Sequence, residues 1–277
     1  MLDQVVKAIH KSSSVAVLTG AGISAESGVP TFRGQQGLWK QYRPEQLATM
    51  EAFRANSKLV WEWYNWRREL IAGTKPNPGH YAIRDMAELF DDFTLITQNV
   101  DNLHRLAGST RILELHGNIY RNKCADCNRP MTSEQDIEPD ALSVCTTCGG
   151  PVRPDVVWFG ESLPVDVIEE ACAVSERVEV FFSIGTSALV HPAASLPQIA
   201  KRRGATLIEI NPEPTPLSAY ADFSFLAKSG EILPELVTRL RVDRRERGNQ
   251  ETGQRPVNAG PAQTYKSHGM AESSSGT

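Results

Sequence analysis

Val15-Ala16-Val17-Leu18 is a short apolar run, and Gly20-Ala21-Gly22 follows within two residues. A continuous apolar run of this length, ending in a glycine turn, reads as a strand buried on both faces. Upstream, Val5, Val6 and Ile9 recur at helical spacing within residues 3–11, and Ser12-Ser13-Ser14 closes that segment. Downstream, residues 93–97, 178–184 and 206–210 are again apolar or β-branched, with helix-like stretches between them. Buried strands alternating with helices predict an α/β fold, a Rossmann-like parallel sheet covered on both faces.

Two segments break the alternation. Residues 31–75 carry Trp39, Trp61, Trp63 and Trp66 and read as loop plus helices. Residues 119–157 carry four cysteines in two pairs. Both read as insertions that build a smaller zinc-binding and helical lobe beside the sheet. The catalytic unit is expected over residues 1–242. From 243 to 277 the chain turns to Arg, Glu, Gly, Ser, Asn and Gln, which predicts a disordered tail.

Composition narrows the function classes. The chain has 277 residues, 40% hydrophobic and 22% charged, and a formal net charge of -4. That balance describes a globular protein able to bury a core without staples. A dedicated nucleic-acid binder would be basic, so no nucleic-acid partner is expected. No apolar run approaches the ~18 residues of a membrane helix, so no membrane partner is expected either. Five cysteines, four of them in C-x-x-C pairs, suit a reducing compartment and metal ligation, hence a cytoplasmic setting.

The glycine turn suits a nucleotide. Its glycines let the backbone turn tightly and approach a pyrophosphate. A bare G-x-G-x-x-A also fits a plain strand–helix turn. A hydride-transferring enzyme would place an acidic ribose clamp ~20 residues on. Residues 37–42 there are Gly-Leu-Trp-Lys-Gln-Tyr, so a pose unlike a dehydrogenase's is expected.

Cys124 and Cys127 are followed, after 17 intervening residues, by Cys145 and Cys148. The spacing fits one tetrahedral zinc with four thiolate ligands; redox pairs are the other reading. Four thiolates leave no open position for water, so the ion is expected to hold the lobe together rather than to catalyse. Cys172, alone in an apolar helical stretch, reads as a core thiol.

His116 follows the strand-like run Arg111-Ile112-Leu113-Glu114-Leu115. A histidine at a strand end is by itself more often structural than catalytic. The longer string Gly20-Ala21-Gly22-Ile23-Ser24-Ala25-Glu26-Ser27-Gly28-Val29-Pro30-Thr31-Phe32-Arg33-Gly34 resembles the first signature of the sirtuin family, NAD-dependent protein deacylases. The resemblance continues in Gln98-Asn99-Val100-Asp101, similar to the family's nicotinamide pocket, and in His116-Gly117-Asn118, similar to its catalytic motif. Val157-Trp158-Phe159-Gly160-Glu161 resembles its peptide-binding strand.

The resemblance implies NAD as a consumed co-substrate and one structural zinc per chain. It implies dinucleotide contacts at Gly20, Ala21, Gly22, Ser24, Phe32, Arg33, Gln98, Asn99, Val100 and Asp101. It adds Gly185, Thr186, Ser187, Asn211, Pro212, Glu213 and Ser229. Val157, Phe159 and Gly160 would hold the substrate backbone, the partner being an acylated lysine of another protein. The implied reaction begins when the acyl oxygen attacks the nicotinamide ribose carbon and nicotinamide leaves. His116 then serves as general base toward a ribose hydroxyl. Free lysine, nicotinamide and O-acyl-ADP-ribose are the products. The other histidines, His10, His80, His104, His191 and His268, read as structural or surface groups.

Tyr64 and Arg67 lie three apart in a helical stretch and share a face. A guanidinium beside a phenol can clamp a carboxylate. The pair resembles the Tyr-x-x-Arg motif of the desuccinylase and demalonylase branch, and Ala48 resembles that branch's small pocket residue. Succinyl and malonyl removal is therefore expected, with weaker deacetylation. Three other readings compete: an NAD-dependent oxidoreductase with structural zinc, a protein ADP-ribosyltransferase on the same fold, and a non-enzymatic zinc-ribbon module.

Overall fold

In a computed structural model of the chain, residues 1–31, 43–131 and 143–251 are described. The first apolar run forms β1 (Ser14–Thr19), preceded by α1 (Leu2–Ile9) and followed by the one-turn helix α2 (Ala21–Ala25). Helices α3 (Pro44–Leu47), α4 (Met50–Ala55), α5 (Ser57–Ala72) and α6 (Pro78–Met86) come next. Then β2 (Asp92–Thr97), α7 (Leu103–Leu106) and β3 (Ile112–Glu114) complete the first half. The excursion β4 (Gly117–Cys124), β5 (Pro130–Met131) and β6 (Val152–Val156) leads to α8 (Val165–Arg177) and β7 (Val180–Ile184). The chain closes with α9 (Leu196–Arg202), β8 (Thr206–Ile210), β9 (Phe223–Phe225) and α10 (Ser229–Glu251).

Among the described residues, β3-β2-β1-β7-β8-β9 form one sheet, every pair parallel. The chain builds outward from β1 through β2 to β3, then crosses back to set β7 on the other side of β1. Such a reversal opens a crevice beyond the carboxyl ends of β1 and β7, where α/β sheets bind ligands.

Both faces of the sheet are covered, as the unbroken apolar run requires. Val15 and Val17 pack with Val5 and Ile9 of α1, Ile83 of α6, and Leu233 and Leu236 of α10. Ala16 and Leu18 point the other way, into Ala171 and Val174 of α8 and Leu196 of α9. Each fully buried Val, Leu or Ile contributes roughly 1.5–3 kcal/mol relative to exposure.

The two insertions meet in a third cluster. Phe53, Val60, Trp61 and Tyr64 from the helices pack against Ile119, Val152, Val156 and Trp158 from the cysteine-bearing segment. In that segment β5-β4-β6 form an antiparallel sheet. Arg68 of α5 ties the pieces together, its Nε donating to the Ile119 carbonyl and its Nη2 to Asn122 Oδ1, both at 2.7 Å.

Two expectations are revised. The tail does not lose its structure at 243: α10 runs on to Glu251. Arg244 explains part of that extension, since its guanidinium lies 4.6 Å over the Phe90 ring and donates to the Ser12 carbonyl at 3.0 Å. The strand read at 93–97 is β2 (Asp92–Thr97), and the helical insertion separates it from the glycine turn. Residues 37–42, Phe32, Arg33, Trp39 and His268 lie outside the described residues, as does the tail beyond 251. The short β9 was not anticipated, since Phe-Ser-Phe is too brief to show a period.

Candidate active site

The crevice is built from the residues that follow five strands. After β1, Gly20 N donates to Ile184 O at 3.0 Å and Gly22 N to Gly185 O at 2.8 Å. The turns after β1 and β7 thus touch backbone to backbone. A Cβ on Gly22 would lie 2.7 Å from Gly185 Cα, and one on Gly185, whose φ is +59°, would lie 2.5 Å from Ile23 N. Only glycine fits these positions.

After β2, Asn99 reaches across the same turn. Its side-chain Nδ2 donates to Gly20 O and to Ser24 Oγ, each at 3.1 Å. The carbonyl partner fixes the amide orientation, because Gly20 O can only accept. Asp101 is buried and accepts from Leu103 N at 2.9 Å. Burial pushes its carboxyl up, and the Leu103 amide, the Ser24 hydroxyl and the Arg67 charge oppose that.

After β3, His116 Nδ1 lies 2.9 Å from the Gln98 carbonyl. A carbonyl cannot donate, so in neutral His116 the proton sits on Nδ1 and the Nε2 lone pair is exposed for chemistry. Burial lowers the His116 pKa, with the Gln98 bond opposing. The ring is therefore neutral, and a base, at pH 7. Its own carbonyl accepts from Val157 N at 3.0 Å, which seats the 157–160 segment, a turn that follows β6 rather than the expected strand, beside it. Gly117 has φ +77°, and a Cβ there would lie 2.1 Å from Asp155 O. Gln98 Nε2 in turn donates to Thr186 Oγ1 at 3.0 Å, joining the β2 and β7 ends.

On the small-lobe side, Phe159 N donates to the Ala48 carbonyl at 2.9 Å. Tyr64 is buried, and burial raises its pKa, with Arg67 opposing. Arg67, 6% exposed, lies 4.9 Å from the Trp63 ring centre and 5.8 Å from that of Tyr64. Burial lowers its pKa, and Tyr64 and Asp101 oppose this. Ala48, Tyr64, Val100 and Trp158 belong to one apolar cluster, so the two lobes meet at this point.

After β8, Asn211 N donates to Phe225 O at 3.1 Å and Asn211 Nδ2 to Glu213 O at 2.7 Å. Pro212 and Glu213 are exposed at the rim. Buried Glu209 underpins this loop, accepting from the hydroxyls of Thr215, Ser218 and Ser224. Ser229, read among the dinucleotide contacts, lies at the start of α10. Its hydroxyl donates to Glu26 Oε1 at 2.6 Å, and Gly230 N donates to the same carboxylate at 3.1 Å. That bond ties the start of α10 to the end of α2 across 203 residues, a separation with no local sequence signal. His80 and His104 are buried, their rings 4.8 Å apart. Burial lowers both pKa values, that of His80 to about 4, so both are neutral. Thr19 and Ser24 lie beside them.

The four cysteines come together. Their Sγ atoms all lie within 4.8 Å of one another, with Cys124 and Cys148 at 3.4 Å and Cys127 and Cys145 at 3.8 Å. A tetrahedron of ~2.3 Å zinc–sulfur bonds has edges of about 3.8 Å. A residue with positive φ follows each C-x-x-C, Asn128 at 56° and Gly149 at 74°, and turns the chain back. The donor set therefore fits zinc, at the end of the lobe away from His116's Nε2 chemistry.

The Sir2 family model matches residues 20–192, more than half the chain. The chain belongs to the Sir2 family. An NAD-dependent protein deacylase of Aquifex aeolicus is 51% identical over 228 residues, covering 82% of this chain and 95% of that protein. One from Pyrococcus furiosus is 48% identical over 246 residues, covering 87% and 98%. Among solved structures, a Sir2 homologue mutant in complex with ADP-ribose superimposes with a TM-score of 0.83 at 47% identity, covering 87% of this chain and 97% of that one. A Sir2 complex with p53 peptide and NAD+ has a TM-score of 0.75 at 29% identity, covering 87% and 99%.

If the cysteine cluster carries zinc as its geometry indicates, the purified Sir2-family chain should contain one zinc per molecule by elemental analysis. Removing it should lower the melting temperature and expose the small lobe to protease. A chain that holds no zinc and melts unchanged with chelator would contradict this.

Proposed function

We propose that this chain is an NAD-dependent protein-lysine deacylase that removes succinyl and malonyl groups, and acetyl groups more weakly. Its products are nicotinamide, free lysine and O-acyl-ADP-ribose. The dinucleotide supplies the ribose carbon that accepts the acyl oxygen and the nicotinamide that leaves. The deacylase names of relatives spanning nearly this chain's folded length support that chemistry. The dispositions of Asn99 and His116 support it as well. With Asn99's amide nitrogen spent on Gly20 and Ser24, its Oδ1 is left to accept from a carboxamide N–H. With Nδ1 of His116 held by Gln98, Nε2 takes the proton of a ribose hydroxyl. The acylated lysine enters along 157–160, and catalysis in the cytoplasm is part of this reading.

The acyl preference rests on one observation: a guanidinium, Arg67, buried beside the Tyr64 phenol at the joint of the two lobes. A buried cation favours an anionic guest, and a buried acyl carboxylate without a partner would be costly. Ala48, whose carbonyl accepts from Phe159 N, adds little bulk beside the same segment. An oxidoreductase reading is disfavoured because β2 leads into Gln98-Asn99, which bond to Thr186, Gly20 and Ser24.

Three outcomes are expected. Arg67→Met should lower kcat/KM for a succinylated peptide roughly 10²-fold more than for the acetylated peptide of the same sequence; equal losses would remove Arg67 from acyl selection. The acid limb of the kcat/KM profile should have its midpoint below ~6.5, because burial holds His116 neutral to lower pH than a free imidazole. His116→Tyr should remove turnover of both acyl groups while melting like the parent. Retained turnover would exclude His116 as the base.

A further inference from the structure

Tyr64 does not stand alone in the small-lobe core. Trp158 Nε1 donates to the Tyr64 hydroxyl oxygen at 2.7 Å, with both residues buried. An indole N–H can only donate, so the polarity of this bond is fixed. Tyr64 is the acceptor, and its own O–H proton is left to be given elsewhere. Among the described residues, the Trp158 bond is the hydrogen bond made by that hydroxyl. Burial keeps the phenol protonated.

Trp158 is itself held from three sides. Its backbone N donates to Glu161 Oε2 at 2.8 Å. The Arg153 guanidinium lies 3.3 Å from the indole ring centre. Arg153 also pairs with the Glu161 carboxylate, through Nη1 and through Nη2 at 3.0 Å, and its Nη2 donates to Val156 O at 2.6 Å. Phe53 packs on the indole with ring centres 5.4 Å apart. The indole is fixed in position, and it lies in the stretch expected to bind the substrate backbone.

From this geometry we infer that Trp158 is a positioning residue for acyl selection: its indole N–H orients the Tyr64 hydroxyl so that the phenolic proton is donated to the carboxylate of an acidic acyl group. The inference rests on the acidic-acyl reading given above. It gives Tyr64 a donor role set by Trp158, while Arg67 supplies charge. It also means that the segment after β6 expected to hold the peptide and helix α5 are coupled by one hydrogen bond. Neutral acyl groups make no use of it.

The test uses the full-length, zinc-loaded chain and two peptides that differ only in a succinyl or acetyl group on lysine. The readout is the ratio of their kcat/KM values, which cancels any general loss of peptide binding. Trp158→Phe deletes the N–H. Trp158→3-benzothienylalanine replaces it by sulfur with the ring shape kept, and serves if the phenylalanine variant does not fold. Either change should lower the succinyl-to-acetyl ratio roughly tenfold. In a Tyr64→Phe background the same change should alter the ratio less than about twofold, because Trp158 acts through that hydroxyl. An unchanged ratio in the parent background, or an equal fall in both backgrounds, would overturn the inference. Arg67→Met separates the two levels. If it collapses the ratio and the Trp158 changes do not, this inference alone fails. If it leaves the ratio unaltered, the acidic-acyl reading fails and takes this inference with it.

Discussion

The turns after β1 and β7 meet with no side chain between them, and the rest of the site is arranged around that contact. Gly20 and Gly22 lie against Gly185 at distances a Cβ would violate. The reversal of strand order places these two turns side by side, and the missing side chains let them close. Asn99 then bonds to the Gly20 carbonyl, and Gln98 to Thr186. His116 hangs from the Gln98 carbonyl. Gln98, Asn99, His116 and the glycine turn are thus one bonded set at the carboxyl edge of the sheet.

The small lobe faces that edge as a single apolar body. Its helices come from before β2 and its ribbon from after β3, yet they share one core. A cysteine cage at one end of the ribbon and the Trp158–Tyr64 bond at the other leave the intervening strands little freedom. On the acidic-acyl proposal, a structural metal at the far end of the ribbon would bear on acyl selection. The metal fixes the ribbon, the ribbon carries 157–160, and Trp158 meets α5.

Much of this was legible in the sequence, for physical reasons. The runs at 15–18, 93–97 and 206–210 are apolar because both faces of the sheet are covered, so they stood out. The cysteine spacing is dictated by the geometry of a single ion and survives without any fold. Other features carry no local mark. The polar composition after 242 suggested an unstructured tail, but Arg244 packs its guanidinium on Phe90 and α10 continues. Glu26, Glu209 and Arg153 owe their roles to partners far away or on the next loop, and composition treats each as a surface charge. Buried Arg153 satisfies its donors with a carboxylate, two carbonyls and an aromatic face, an arrangement visible only in three dimensions.

The central claim is that this crevice transfers an acyl group from lysine to the dinucleotide's ribose. The most direct measurement is mass spectrometry of one reaction containing the chain, NAD and a succinylated peptide. The account predicts nicotinamide, free-lysine peptide and O-succinyl-ADP-ribose in equal amounts, with no reduced dinucleotide. Reduced dinucleotide without nicotinamide, an ADP-ribosylated peptide, or unaltered reactants would contradict it.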